Sequence, residues 1–238
     1  AQAYLGRAFQ RLSEPVDALL SPSALQTLAQ SVSMGGVASS SGSAGAGRGA
    51  ADVRRFLARV REELDAVAAR PSLAAAVAES GVAKALRLMA RRAETAVATG
   101  AEARAFALGQ PATGAHRANA MLAASLEQVC AAMAKVLRDP ALEESSRGGV
   151  GGSGVNARAA HKMKASLRAA TTALAETARD VAALALDAAF ERVSAHFAAM
   201  HDEDWAGGPP PGEHCSPYAA RVAETLAWLR EAHVKPLF

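Results

Sequence analysis

The 238-residue sequence predicts an all-α protein, an antiparallel helical bundle or two such bundles stacked in tandem. Three observations predict it. Half of the residues are apolar yet only 4% are aromatic, and alanine is the commonest. A core of Leu, Val, Met and Ala suits close-packed helices better than a sheet, whose strands favour β-branched and aromatic pairs. The apolar residues recur at alternating spacings of three and four, which marks one helix face. No strand alternation, hairpin signal or fixed-length repeat breaks that pattern.

Each element follows from local signals. Ala1 to Leu12 reads as a helix, and Ser13-Glu14-Pro15 restarts the chain with an N-cap and a proline at a tolerated early position. The stretch to Leu20 is then a second short helix or a kinked continuation. "GGVASSSGSAGAGRG", Gly35 to Gly49, has neither period nor bulk and reads as a flexible loop. Val53, Leu57, Val60, Leu64 and Val67 form the next stripe, broken at Pro71-Ser72. Leu73 to about Ala98 resumes, with a disturbance expected at Ser80-Gly81. There Val82, Leu86, Met89 and Ala93 share one face, and Lys84, Arg87 and Arg91 lie opposite.

Gly100, Gly109 and Pro111 interrupt again. Leu122, Leu126, Val129, Met133 and Val136 then make a heptad-like seam within Ala112 to Arg138. "SSRGGVGGSGVN", Ser145 to Asn156, is a second linker, long enough for its neighbours to pack antiparallel. The longest element, Ala157 to Met200, carries Met163, Leu167, Leu174 and Val181. Its stripe then shifts register to Leu186, Phe190, Val193, Phe197 and Met200, which implies a change of partners along one helix. Ser216-Pro217 opens a final helix with Tyr218, Val222, Leu226 and Leu229 expected inward, and Pro236 stops it.

The chain divides accordingly into N-terminal helices (1–34), a Gly/Ser loop (35–50) and a helical bundle (51–144). A Gly-rich linker (145–156) and a last unit (157–238) follow, the latter a long helix, an aromatic-flanked turn and a final helix packing on the bundle. A formal charge of +3 is too mild to indicate nucleic acid as an obligate partner. Cys130 and Cys215 lie far apart, and reduced thiols in a cytosolic setting are the expectation. No apolar run long enough to span a membrane and no signal-peptide pattern is read. A start at Ala1, already inside a helix, is what a piece of a longer protein would show.

The chemistry-bearing residues gather in "AAMHDEDWAGGPPPGEHCSPY", Ala198 to Tyr218. Zinc sites usually present paired ligands at Cys-x2-Cys or His-x3-His spacing. His196 and His201 are five apart, about 140° around a helix, and the side chains of adjacent His214 and Cys215 tend to diverge. Asp202, Glu203 and Asp204 are equally what a helix end in water carries. A nucleophile assembled from Cys215, His201 and Asp204 lacks any Gly-rich elbow, and neither "GRGA" nor "GGVGGSG" has the lysine of a phosphate loop. No catalytic, metal or cofactor residue is therefore assigned. Trp205 and Tyr218 instead bracket a Gly-Gly-Pro-Pro-Pro-Gly turn, a way of fixing the angle between consecutive helices.

In order and motif the chain resembles the family of the fifth subunit of the conserved oligomeric Golgi complex, a multisubunit vesicle tether. "AYLGRAFQRLSEPVDALL" is similar to that family's Tyr-Leu helix and Leu-x-x-Pro turn. "GVAKALRLMARRAETAVATG" is similar to a stretch preceding a Gln/Gly loop, and "GAHRANAMLAASLEQV" to an Arg-x-Asn helix. Most specific is "MHDEDWAGG" followed by "CSPYAARVAETL". Met200, His201, Glu203, Asp204, Cys215, Ser216 and Tyr218 match a Met-His-x-Glu-Asp-aromatic turn and a Cys-Ser-x-Tyr helix start, with Trp205 where phenylalanine is expected. The two glycine-rich insertions depart from the pattern.

The resemblance implies a middle-to-C-terminal fragment with the tandem bundle of such tethers, non-catalytic and without cofactors. It implies peripheral placement on the cytosolic face of Golgi membranes and a role in retrograde intra-Golgi transport. Its partners would be sister subunits, subunit seven and its lobe among them, with SNAREs and coiled-coil tethers. Two rivals predict otherwise: an amphipathic-helix protein lying on lipid through basic faces such as that of Lys84, Arg87 and Arg91, or an enzyme or metalloprotein centred on Ala198 to Tyr218.

Overall fold

The computed structural model describes residues 2–21, 23–24, 43–104, 107, 113–138, 154–202 and 217–230. All regular structure there is helical, so the chain is all-α. The order is α1 (Gln2–Leu19), α2 (Ser43–Asp65), α3 (Pro71–Val77), a π-helical turn (Ala78–Val82) and α4 (Ala83–Ala96). Then come α5 (Ala101–Arg104), α6 (Gly114–Leu137), α7 (Gly154–Ala198), a 3-10 turn (Ala199–Asp202) and α8 (Pro217–Leu229). At 45 residues α7 is about 68 Å long, from a rise of about 1.5 Å per residue.

Several boundaries differ from the sequence reading. Helix α1 runs through Pro15 without a restart, and Ser13 Oγ donates to the Gln10 carbonyl within it. Pro71 opens α3 at a first-turn position where its missing N–H has no intrahelical partner to lose. The expected disturbance at Ser80-Gly81 is the π turn, continuous with α3 and α4. A Cβ placed on Gly81 would meet Leu12 Cδ1 at 3.5 Å, so α1 crosses the rod at that turn.

The flexible loop expected over 35–50 is corrected at its end, because α2 already begins at Ser43. Likewise α7 begins at Gly154, inside the linker expected over 145–156. Once a stripe such as Val53 to Val67 is anchored, extending the helix backwards fixes one residue per hydrogen bond and needs no new nucleus. The remainders of both insertions, 35–42 and 145–153, lie outside the described residues.

One apolar cluster joins all the larger elements up to Val181. It runs from Leu12 and Val16 through Phe56 and Val60, Leu86 and Met89, Leu126 and Met133, to Leu167 and Leu174. Burying each large side chain contributes ~1.5–3 kcal/mol. The stripes of α4 and α6 lie where their periods put them, with Val136 half-buried. In α2 the buried line is Val53, Phe56, Val60 and Glu63, continued by Val67 just past the helix end, and Leu57 and Leu64 are half-buried at its margin.

Polar contacts give the helix directions. Lys162 Nζ lies 2.9 Å from Glu79 Oε2, and Thr177 Oγ1 donates to Glu94 Oε1 at 3.4 Å. Both pairs are 83 residues apart, so α3–α4 and α7 run parallel. Antiparallel packing holds for α6 on α7. Cys130 Sγ reaches the Thr171 carbonyl at 4.0 Å, while the α6 start lies by Ala103, next to the Arg104 that pairs with Glu191 far along α7.

Two buried polar residues tie elements together. Glu63, 5% exposed, accepts from Arg11 Nε at 2.5 Å and Nη2 at 3.0 Å, and from Tyr4 Oη at 3.3 Å, joining α2 to α1. Asn119 clamps the end of α4: its Oδ1 accepts from Ala98 N at 2.9 Å and its Nδ2 donates to Ala98 O at 2.8 Å. This is the asparagine of the Arg-x-Asn stretch, and it satisfies both backbone groups of a residue where the helix has stopped.

Replacing Arg11 by Met should lower unfolding free energy in urea by ~1–3 kcal/mol, because Glu63 stays buried without its cation. The double variant Arg11→Met/Glu63→Leu should recover most of that loss. Asn119→Ala should cost ~1–3 kcal/mol in the same measurement by orphaning Ala98 N and O.

Candidate functional site

Beyond Val181 the long helix leaves the common core, and its environment changes. Ala188 and Ala189 are buried, but Leu184 (40%), Leu186 (62%), Phe190 (73%) and Phe197 (49%) are exposed, as is Leu226 of α8 (52%). These are all the exposed large apolar side chains among the described residues. Leu226, expected to face inward, is therefore corrected to exposed, and the new partners expected for Leu186 and Phe190 are not seen among the described residues. Val193, Met200, Tyr218 and Val222 are half-buried, and the side chain of Leu229 lies outside the described residues. The register shift is present in the sequence, but among the described residues the shifted face is largely open to solvent, with Phe197 set beside Tyr218 of α8.

Helix α8 packs on α7 through a different line. His196 Nε2 and Thr225 Oγ1 lie 3.1 Å apart, and Thr225 also donates to the Arg221 carbonyl. The Phe197 and Tyr218 rings sit 6.4 Å apart at 49°, a contact between α7 and α8. Trp228 lies 5.9 Å from the His116 ring of α6. His116 is 1% exposed and its Nδ1 is 3.3 Å from the Ala103 carbonyl, while its backbone N–H donates to Thr113, the α6 N-cap. Thus Thr225 and Trp228 anchor α8, where the apolar period alone points to Leu226.

Of the residues singled out between Met200 and Tyr218, the structure describes three. Met200 and His201 lie in the 3-10 turn, Met200 half-buried and His201 exposed, and Tyr218 opens α8 against Phe197. Glu203, Asp204, Trp205, Cys215 and Ser216 lie outside the described residues. His196 contacts Thr225 of α8, and His201 is exposed. Among the described residues no three His, Cys, Asp or Glu side chains come together as a metal ion would require.

Cys130, His116 and His196 are engaged in packing. Burial pushes the Cys130 thiol up to about 11, which keeps it protonated at neutral pH. Burial also lowers His116, against the pull of the Ala103 carbonyl and with Arg117 adding to it. His196 is lowered by burial, then by Arg192 and Arg221, with Glu224 opposing. A cleft of about 420 Å³ lies between Tyr4, Ala66, Val67, Arg70 and Leu73, and the Tyr4 hydroxyl beside it is bonded to Glu63.

Two features bear on membranes. The apolar side of α4 that would enter lipid is fully buried in the core, and on the polar side Lys84 Nζ sits 4.3 Å from the Phe9 ring centroid. Helix α6 is long and apolar enough to cross a bilayer, but Leu122, Leu126, Val129 and Met133 are spent on the core. No family model, curated protein or solved structure matches the chain.

Both histidines that touch α8 have native values below the ordinary 6.5, so below that pH the unfolded chain binds more protons than the folded one. Stability should fall as pH drops from 7 through the imidazole range. In thermal melts across pH 7 to 5, the His116→Gln/His196→Gln variant should show a shallower decline than the parent.

Proposed function

We propose that this chain is a non-catalytic scaffold segment of a Golgi vesicle-tethering complex acting in retrograde intra-Golgi transport. The observation that carries the reading is the uneven use of apolar surface. Up to Val181 large apolar side chains are packed within the chain, whereas the outer part of α7 and α8 offers Leu186, Phe190, Phe197 and Leu226 to solvent. Such a patch on a rigid helix supplies the few large anchors that dominate protein association.

The motif likeness gives the reading its place in the cell. Met200 and His201 of the first motif follow α7 directly, and Tyr218 of the second opens α8 beside exposed Phe197. In this reading the partners are sister subunits, subunit seven and its lobe among them, together with SNAREs or coiled-coil tethers. The site of action is the cytosolic face of the Golgi. The tandem arrangement of bundles belongs to the same proposal. Nothing observed favours the enzyme reading. The lipid reading loses its best helix, since the apolar side of α4 is already occupied.

The test is co-purification of the natural full-length protein with the other subunits of the complex, together with Golgi glycosylation in cells lacking it. Stoichiometric recovery and defective glycosylation are expected. A protein that sediments alone, with glycosylation intact in its absence, overturns the reading.

A further inference from the structure

The outer part of α7 has three differently equipped sides. The core-facing stripe from Met163 to Val181 occupies one. Leu186, Phe190, Val193 and Phe197 lie along a second, about 130° away at 100° per residue. Their spacings of four, three and four are those of a coiled-coil seam. Upstream on that same line stand Arg168, Thr172 and Arg179, so the line turns from polar to apolar where the core ends.

The third side is acidic. Glu176, Asp180, Asp187 and Glu191 are all exposed and fall about a quarter-turn from the apolar ridge. Against these four carboxylates stand Arg179 and Arg104, the latter bonded to Glu191 at 3.0 Å, which leaves the strip with a net charge of −2. On the other flank Arg192 of α7 with Arg221 and Glu224 of α8 surround His196, a net charge of +1, so the excess of carboxylates lies on one side of the ridge.

From this pairing of ridge and strip we infer that the outer part of α7 binds a basic amphipathic helix of a partner protein. The partner's apolar seam would lie on Leu186, Phe190 and Phe197, and its lysines or arginines along Asp180 and Asp187. The chemistry selects against the other occupants. An anionic lipid surface would face the carboxylates. A second copy would bring the same acidic strip to the seam. A partner with cations beside its seam gains attraction from the charges that repel those two. The inference rests on the scaffold reading above and names the chemistry of its partner.

The probe is a fluorescein-labelled three-heptad helical peptide with Leu at the seam positions and Lys at the flanking ones, beside a twin with Glu in place of Lys. Anisotropy titration of the whole chain should show the Lys peptide binding at least about tenfold more tightly than the twin. Leu186→Ser/Phe190→Ser should weaken it by about tenfold or more, and Asp180→Lys/Asp187→Lys should invert the preference. All four positions are exposed, so circular dichroism melts should match the parent.

The inference is overturned if neither peptide binds, if the twin binds equally, or if the serine variant binds like the parent. It is equally overturned if the ridge instead mediates dimerisation in sedimentation or binding to phosphatidylserine vesicles. The scaffold reading fails separately. Should sister subunits co-purify with the full-length serine variant as with the parent, only the assignment of this ridge falls.

Discussion

The stripe from Met163 to Val181 is the contact on which the rest of the structure depends. Helix α7 touches α3, the π turn, α4 and α6, and its Leu167, Ala170 and Leu174 are wholly buried between them. Because α3–α4 lies parallel to α7 while α6 returns antiparallel, no single hairpin could close this core. Alanine makes the closure possible. Ala78, Ala83, Ala85, Ala93 and Ala170 are fully buried, so backbones approach closely and a few large side chains fill what remains. The cost is that each interface rests on few anchors, such as Phe56, Met89 and Leu174.

That economy explains why buried polar groups matter here. Glu63 lies in the buried line of α2, where period alone would put a hydrophobe, and it is tolerated because Arg11 and Tyr4 from α1 meet its carboxylate. Asn119 serves a different need, completing the hydrogen bonds of Ala98 where α4 has ended. Each replaces apolar area with geometry. The first fixes how α1 lies on α2, and the second fixes where the chain leaves α4 for α6.

Helical periodicity made the stripes of α4, α6 and the first part of α7 legible in the sequence, since one face of each is wholly consumed by neighbours. It also located the π turn, because Ser80-Gly81 is the weakest helical pair in that rod. It misjudged α2, whose two overlapping stripes differ by one position. Hydropathy prefers Leu57 and Leu64, but the cation on α1 selects the line through Phe56 and Glu63. The seam of α8 was misjudged for the same reason: Thr225 and Trp228 are held by His196 and His116, partners that no local pattern encodes. At the end of the stretch from Met200 to Tyr218, Tyr218 lies beside Phe197.

A stripe with coiled-coil spacing announces that something covers it, and local sequence does not say what. Leu174 and Phe190 stand in equally regular patterns, yet one is wholly buried and the other largely in solvent. What separates them is the rotation of the apolar line around α7 just after the core ends. Had the line continued straight, α8 or a lengthened α6 could have buried it, and the ridge would compete with the fold for the same side chains. Turned about a third of a revolution, the ridge presents its anchors without disturbing Met163 to Val181. A helix rigidly held by its first half can therefore offer its second half ready-formed, and the ordering entropy of that surface is already met by folding.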